Sequence, residues 1–240
     1  MGGSDRNLHS PPTSNVRKEE SATDRRSRGM VLPLPRSFYD RPTVEVARDL
    51  LGCVLHRRIG GRHLSGRVVE TEAYVGPEDL ACHTSKGLTP RTEPMFGSPG
   101  HAYVYLIYGL HHCLNVVTEG PGSGTAVLIR ALEPLSGLSP EARTDGPARL
   151  TRVFEVNRDF NRWDLTSGEE LWIEAPDRPR EPIEVGKRIG VEYAKEWADA
   201  PLRFWLSGNR WVSVVPRRPR GPVVEAPSLQ RSAKDRPDRA

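Results

Sequence analysis

The stretch Val68-Val69-Glu70-Thr71-Glu72-Ala73-Tyr74-Val75 decides how this chain is read. Its β-branched residues favour a strand. Strand alternation puts Glu70, Glu72 and Tyr74 on one face and Val69, Thr71, Ala73 and Val75 on the other. The second face suits a core. The first carries two carboxylates beside an aromatic ring. An exposed polar face is the ordinary reading of that row. The sharper reading is a cleft wall that holds a carboxylate as general base.

Outward from this strand, segments 54–59, 102–108, 114–118 and 126–132 are rich in Val, Ile, Leu and Tyr and bounded by Gly or Pro. They predict further strands, and the central one extends over 64–75. Short strands are expected at 171–173, 188–190, 203–206 and 212–215. Val44, Ala47, Leu50 and Leu51 have helical spacing, with Thr43 as a cap. A second helix is expected over 148–154. Strands dominate and few helices separate them. The pattern predicts an α+β fold with a mostly antiparallel, curved sheet.

The chain has 240 residues, 28% of them charged. No run approaches the roughly 18 apolar residues of a membrane span, and the polar N-terminus lacks the apolar core of a secretory signal. Three cysteines (Cys53, Cys82 and Cys113) include no CxxC pair, which argues against a disulfide framework or zinc ribbon and for a reducing cytoplasm. The net charge of +4 is uneven. Residues 1–34 hold six basic and four acidic side chains, and residues 216–240 hold seven and three. The intervening region is therefore at −2. Thirty arginines against five lysines suit phosphate contacts, although a GC-rich coding bias gives the same ratio. Composition predicts a disordered tail over 1–34, one domain over 35–215 and a basic, Pro/Arg-rich tail over 216–240. Met30, just before an apolar stretch, is an alternative start of translation.

Four of the six tyrosines fall between 74 and 108. Tyr103 and Tyr105 share a strand face. Tyr108 has the opposite parity and precedes Gly109, a residue suited to a tight hairpin turn. His83 follows a turn-rich segment. His83, His111, His112 and Cys113 lack useful ligand spacing, so no metal site is predicted.

These residues carry a resemblance. Glu70-Thr71-Glu72-Ala73-Tyr74-Val75-Gly76-Pro77-Glu78-Asp79, followed by Ala81-Cys82-His83, resembles the alkyladenine (3-methyladenine) DNA glycosylase family. Four more blocks follow in order. They are Tyr103 to Gly109 leading to Asn115, Leu128 to Pro134, Gly146-Pro147 with Arg149-Leu150, and Arg188 to Val191 running on to Trp211-Val212-Ser213-Val214. The resemblance covers about 36–215. It implies a single domain with surrounding helices and a protruding β-hairpin, acting as a monofunctional N-glycosylase that flips damaged purines out of duplex DNA.

Residue by residue, the resemblance implies that Glu72 is the general base that activates water. Arg130 and the backbone carbonyl of Ile189 help to hold that water. Tyr74 and His83 on one side and Tyr105 on the other sandwich the base, with Asn115 and Leu128 completing the pocket. Asn115 clashes with the exocyclic amino group of normal guanine. Tyr108 fills the vacated stack. Tyr103, Thr89, Arg91, Met95 and Arg149 bind DNA. Arg149 stands where the family's pattern has lysine. No cofactor, metal, membrane or obligate protein partner is implied. The expected protein is a monomer on double-stranded DNA, nucleoid-associated in a bacterial cytoplasm or nuclear in a eukaryote. Two rivals remain: a formyltransferase-like enzyme of related fold, and a module that only binds nucleic acid.

Overall fold

Eight strands, all paired antiparallel, form one sheet that curls into a half-barrel. The computed structural model describes residues 32–107, 109–176 and 178–214. Tyr108, residues 1–31 and residues 215–240 lie outside the described residues, and so do most of the two expected tails. The strands are β1 (Val54–Ile59), β2 (Arg62–Tyr74), β3 (Ala102–Ile107), β4 (His111–Thr118), β5 (Thr125–Ser136), β6 (Leu171–Glu174), β7 (Ile183–Gly186) and β8 (Arg203–Leu206).

β2 organises the sheet. Its 13 residues run the length of β5 on one side. On its other side Arg62 to Arg67 pair with β1, and Glu70 to Glu72 pair with β8. β4 and β3 continue beyond β5, β6 continues beyond β1, and β7 lies along β8. Glu70 and Glu72 are therefore in the middle of the sheet. Both are fully buried. The ordinary reading of this row as a solvated face is excluded.

Two irregularities bracket Glu70. Val68 pairs with Leu132, Glu70 with Ala131, and Thr71 with Ile129. Val69 is thus the extra residue on β2 and Arg130 the extra residue on β5. The two offsets cancel, so the register is the same on either side of them from Gly66 to Tyr74, and a further shift falls between Ser65 and Gly66. Such bulges re-aim side chains at functional sites.

The helices are few and short. They are Arg36–Tyr39, Thr43–Asp49 and Pro147–Val153, with 3-10 turns at His83–Lys86, Glu93–Phe96, Arg158–Phe160 and Lys195–Asp199. Helix Thr43–Asp49 presents Val46 and Ala47 to the core, and Thr71 Oγ1 on β2 donates to Ala47 O at 2.8 Å. Thr43 is not the cap. Pro42 occupies that position, and the Thr43 amide and hydroxyl both donate to Glu119 Oε1, at 3.2 and 2.7 Å. A distant carboxylate has taken over the capping role.

Two expected strands are absent. Residues 188–190 and 212–214 are irregular, and the strand near the first is Ile183–Gly186 instead. The reason is common to both. The Ile189 amide donates to Glu72 Oε1 at 2.8 Å, and the Ser213 amide donates to Glu70 Oε2 at 2.6 Å. Each segment gives a backbone donor to a buried carboxylate rather than to a neighbouring strand.

The boundary of the N-terminal tail also moves. Residues 33 and 34 belong to the folded unit, because the Leu34 amide donates to Ile173 O at 2.7 Å and Pro33 bridges Glu174. Leu34 is only 6% exposed and joins the core. Leu34→Ala should therefore lower the free energy of unfolding by about 2–5 kcal/mol. Denaturant titration checks this, and an unchanged midpoint would return Leu34 to the tail.

Candidate active site

The sheet register places five side chains in one row. Arg203 on β8 pairs with Glu72 on β2, Glu72 with Leu128 on β5, Leu128 with Asn115 on β4, and Asn115 with Tyr103 on β3. Opposite residues in antiparallel strands share a face. Tyr74, Arg130 and Tyr105 flank the row. Residues up to 131 positions apart in sequence thus become neighbours.

Over this row lies a cavity of about 330 Å³, within the range of small-ligand sites. Its walls include Tyr74, His83, Tyr105, Asn115, Arg130 and Ile189. A larger recess of about 800 Å³, around Glu133, Arg178 and Trp211, contains none of the residues expected to carry chemistry. Its Arg178 is already paired with Glu133 and Glu181. The smaller cavity is the candidate site.

Two carboxylates lie beneath the cavity wall, and their partners differ. Glu70 accepts from Arg130 Nε at 3.1 Å, Arg203 Nε at 2.7 Å, the Ser213 amide at 2.6 Å and Ser213 Oγ at 2.9 Å. Glu72 meets the Ile189 amide at 2.8 Å, the Tyr74 hydroxyl at 2.9 Å and Arg130 NH1 at 3.2 Å. Arg130 sits between them. Burial works against its charge, but Glu72 and Glu70 outweigh that and raise its pKa further. Burial, and then the Glu72 charge, push the Tyr74 hydroxyl far above the ordinary tyrosine range, so it is a proton donor at neutral pH.

The loop that brings Ile189 to Glu72 is itself held by a buried pair. Arg188 NH1 and NH2 donate to the two oxygens of Asp79 at 2.5 and 2.8 Å, and both side chains are fully buried. NH1 also donates to Ala73 O at 2.9 Å, and the guanidinium lies 4.8 Å from the Tyr74 ring centroid. Asp79 accepts the Ala81 amide at 3.0 Å, which shapes the turn leading to His83. One ion pair therefore fixes the loops on both sides of the cavity. Such geometry suits arginine rather than lysine.

His83 Nδ1 lies 2.9 Å from the Tyr103 hydroxyl, and its ring meets Tyr105 edge-on at 4.5 Å. Burial, reinforced by the positive charge of Arg91, lowers the His83 pKa to about 4. The imidazole is thus neutral at physiological pH. Burial raises the Tyr103 hydroxyl to about 12 and also raises Tyr105.

Most residues expected at the site converge here, including Glu72, Arg130, Ile189, Tyr74, His83, Tyr105, Asn115 and Leu128. Glu72 is one layer behind the wall, and Tyr74, Arg130 and Ile189 stand between it and the cavity. The Ile189 amide is the group seen to contact Glu72. Tyr103 and Met95, expected to bind DNA, are buried in the cavity wall. Arg91 borders the cavity with its guanidinium 5.2 Å from the Tyr105 ring centroid. Thr89 is engaged with Thr92, its hydroxyl accepting the Thr92 amide at 3.2 Å. Arg149 pairs with Asp145 on the surface.

Sequence reading missed Asp79, Arg188 and Arg203 as parts of the site, and also Tyr193 at the cavity mouth. Asp79 lies in a turn-rich run, and the composition around Arg188 predicts a strand. Arg203 alone carries a local signal, a charge inside the apolar run 202–206.

The comparisons agree with this geometry. Residues 37–210 match the model of the methylpurine-DNA glycosylase family. A Myxococcus xanthus protein named "Putative 3-methyladenine DNA glycosylase" is 52% identical over 183 residues, covering 76% of this chain and 94% of its own. Relatives of the same name from Legionella pneumophila (strain Lens) and Methanocella arvoryzae are 52% and 50% identical. Each covers 75% of this chain, with 97% and 95% of its own length. The chain belongs to the methylpurine-DNA glycosylase family. It is thus a hydrolytic, monofunctional DNA N-glycosylase of base-excision repair.

The neutral state of His83 is open to measurement. Its folded pKa lies below the ordinary 6.5, so the stability tied to the neutral ring is complete above that value. It is lost as pH falls through about 4. NMR titration should find the ring neutral at pH 6, and should still do so in Tyr103→Phe, since burial is the larger cause. A midpoint near 6.5 would overturn that cause.

Proposed function

We propose that the enzyme flips alkylated or deaminated purines out of duplex DNA and hydrolyses the N-glycosidic bond with a water activated by Glu72. The substrate class includes 3-methyladenine, 7-methylguanine, hypoxanthine and ethenoadenine. The product is an abasic site.

One observation carries the choice of Glu72. An ionised carboxylate offers about four acceptor positions. Among the described residues, Glu70 meets four donors, three on Oε1 and one on Oε2, and of these partners only Arg130 lines the cavity. Glu72 meets three, all from residues that line the cavity. Its Oε1 accepts only the Ile189 amide among the described residues, so a water can join it there, next to the wall where a base would lie. Glu72 takes the proton of that water as it attacks C1′ of the sugar. Its charge also stabilises the oxocarbenium character that develops as the bond breaks, as in glycoside hydrolysis. Arg130 and Ile189 orient the carboxylate. A module that only binds nucleic acid has no use for this arrangement.

The base stacks on the aromatic wall formed by Tyr74, His83 and Tyr105. Its insertion parts the His83 and Tyr105 rings, and stacking of ~1–3 kcal/mol offsets that separation. A neutral His83 adds no repulsion against a cationic methylpurine, and the ring faces attract one. Asn115, held by its donation to Tyr103 O at 3.0 Å, presents a fixed edge against the exocyclic amino group of guanine. Tyr108, at the join of β3 and β4, fills the gap that the flipped nucleotide leaves. The β3–β4 hairpin is then the part that protrudes into the DNA. Thr89, Arg91, Arg149 and the basic tails supply backbone contacts, and the enzyme acts as a monomer.

Glu72→Gln should bind damaged duplex as the wild type does while releasing base about 10²–10⁴-fold more slowly. Single-turnover release with a 7-methylguanine duplex measures this, and wild-type release would sink the mechanism. Tyr108→Ala should weaken binding to duplex and slow turnover there, yet leave release from single-stranded substrate largely intact. Equal losses on both substrates would count against the wedge.

A further inference from the structure

Glu70 belongs to the strand that holds the proposed base, but the reaction as described does not use it. It is fully buried and receives donors from three separate parts of the chain. We infer that Glu70 is a positioning residue for hydrolysis, holding the Arg130 guanidinium so that one edge faces Glu72. The inference deepens the proposed function and rests on Glu72 being the base.

The geometry of Arg130 is the reason. Its Nε faces Glu70 at 3.1 Å, NH2 faces Ser213 Oγ at 3.5 Å, and NH1 is left toward Glu72 Oε2 at 3.2 Å. Ser213 is held in turn by Glu70 through both its amide and its hydroxyl. Arg203 closes the other side. It donates from Nε to Glu70 and from NH2 to Val214 O, and its guanidinium stacks 4.6 Å from the Trp205 ring centroid. The segment carrying Ser213 and Val214 is thus tied down at two successive residues.

The need for this brace follows from the β5 irregularity. Arg130 is the unpaired extra residue there, so the ladder does not set its direction. A guanidinium on a long side chain has several rotamers open to it, and Glu70 removes that freedom. The charged groups that meet Glu70 are Arg130 from β5 and Arg203 from β8, while Glu72 on its own strand shares Arg130. The four charges sum to zero. Neutralising Glu70 leaves a surplus of one positive charge beside Glu72.

Three variants test this in the full-length enzyme, using single-turnover release from a 7-methylguanine duplex across pH. Glu70→Gln should slow release roughly 10²-fold, the scale of a misplaced catalytic group, with binding to the duplex unchanged. The acid limb of its pH profile should move to lower pH. Ser213→Ala keeps all charges and should slow release less, with the limb in place. Glu70→Asp should also keep the limb while losing rate.

Lower thermal stability of Glu70→Gln with wild-type rate and profile would make Glu70 merely structural and overturn the inference. Should Glu70→Gln fail to fold, the other two decide, and wild-type release by both would overturn it. Glu72→Gln, run in parallel, separates the two levels. Normal release by that variant removes the base assignment, whereas a dead Glu72→Gln beside a normal Glu70 series removes only the positioning role.

Discussion

Two carboxylates two residues apart on the central strand are fully buried, and much of the site follows from satisfying them. An unpaired buried charge is costly enough that a protein would neutralise it instead. Glu70 and Glu72 keep company with Arg130 and Arg203, so the cluster has no net charge. Removing one member of such a group typically costs about 3–5 kcal/mol. That is a large part of the 5–15 kcal/mol by which a domain is stable. An apolar replacement of the whole cluster would often be no less stable. Stability alone therefore does not account for the charges.

Satisfying these groups shapes the backbone around them. A carboxylate that is to be hydrogen-bonded from several directions needs donors that side chains alone do not supply. Two segments, at Ile189 and Ser213, provide amides and give up strand pairing to do so. Offsetting irregularities on β2 and β5 keep the register from Gly66 to Tyr74 the same on either side of Glu70 while freeing Arg130 from the ladder. The Asp79–Arg188 pair then holds the two loops that flank the cavity. Local disorder in the strand pattern is concentrated where the chemistry is proposed.

This explains which parts of the molecule were legible in the sequence. Strands with alternating or continuous apolar patterns, such as β1, β3 and β8, announced themselves through Val, Ile, Leu and Phe. The grouping of Glu70, Glu72 and Tyr74 followed from period two. The segments at 188–190 and 212–214 have strand composition, but their amides go to side chains far away in sequence, which no local pattern reveals. Thr43 failed as a cap for the same reason, since Glu119 is 76 positions away. The resemblance implies that Tyr103 and Met95 contact DNA. Only the three-dimensional packing shows that they form the wall itself.

The charge distribution acquires a different meaning at this scale. The region between the tails is slightly acidic, yet the cavity is built with arginines. Each buried arginine is matched: Arg130 and Arg203 by the two glutamates, and Arg188 by Asp79. His83 is kept neutral by burial. The carboxylate–arginine cluster beneath the cavity wall thus carries little net charge, while Arg91 keeps a positive charge at the cavity's edge. Attraction to the phosphate backbone is a long-range, salt-sensitive effect and can be supplied from outside the cavity. Positioning of a water and a sugar is short-range and needs a preorganised, dry surrounding. Under the proposed reaction, separating the two lets attraction to phosphates come from outside the cavity while the paired charges beneath its wall serve positioning.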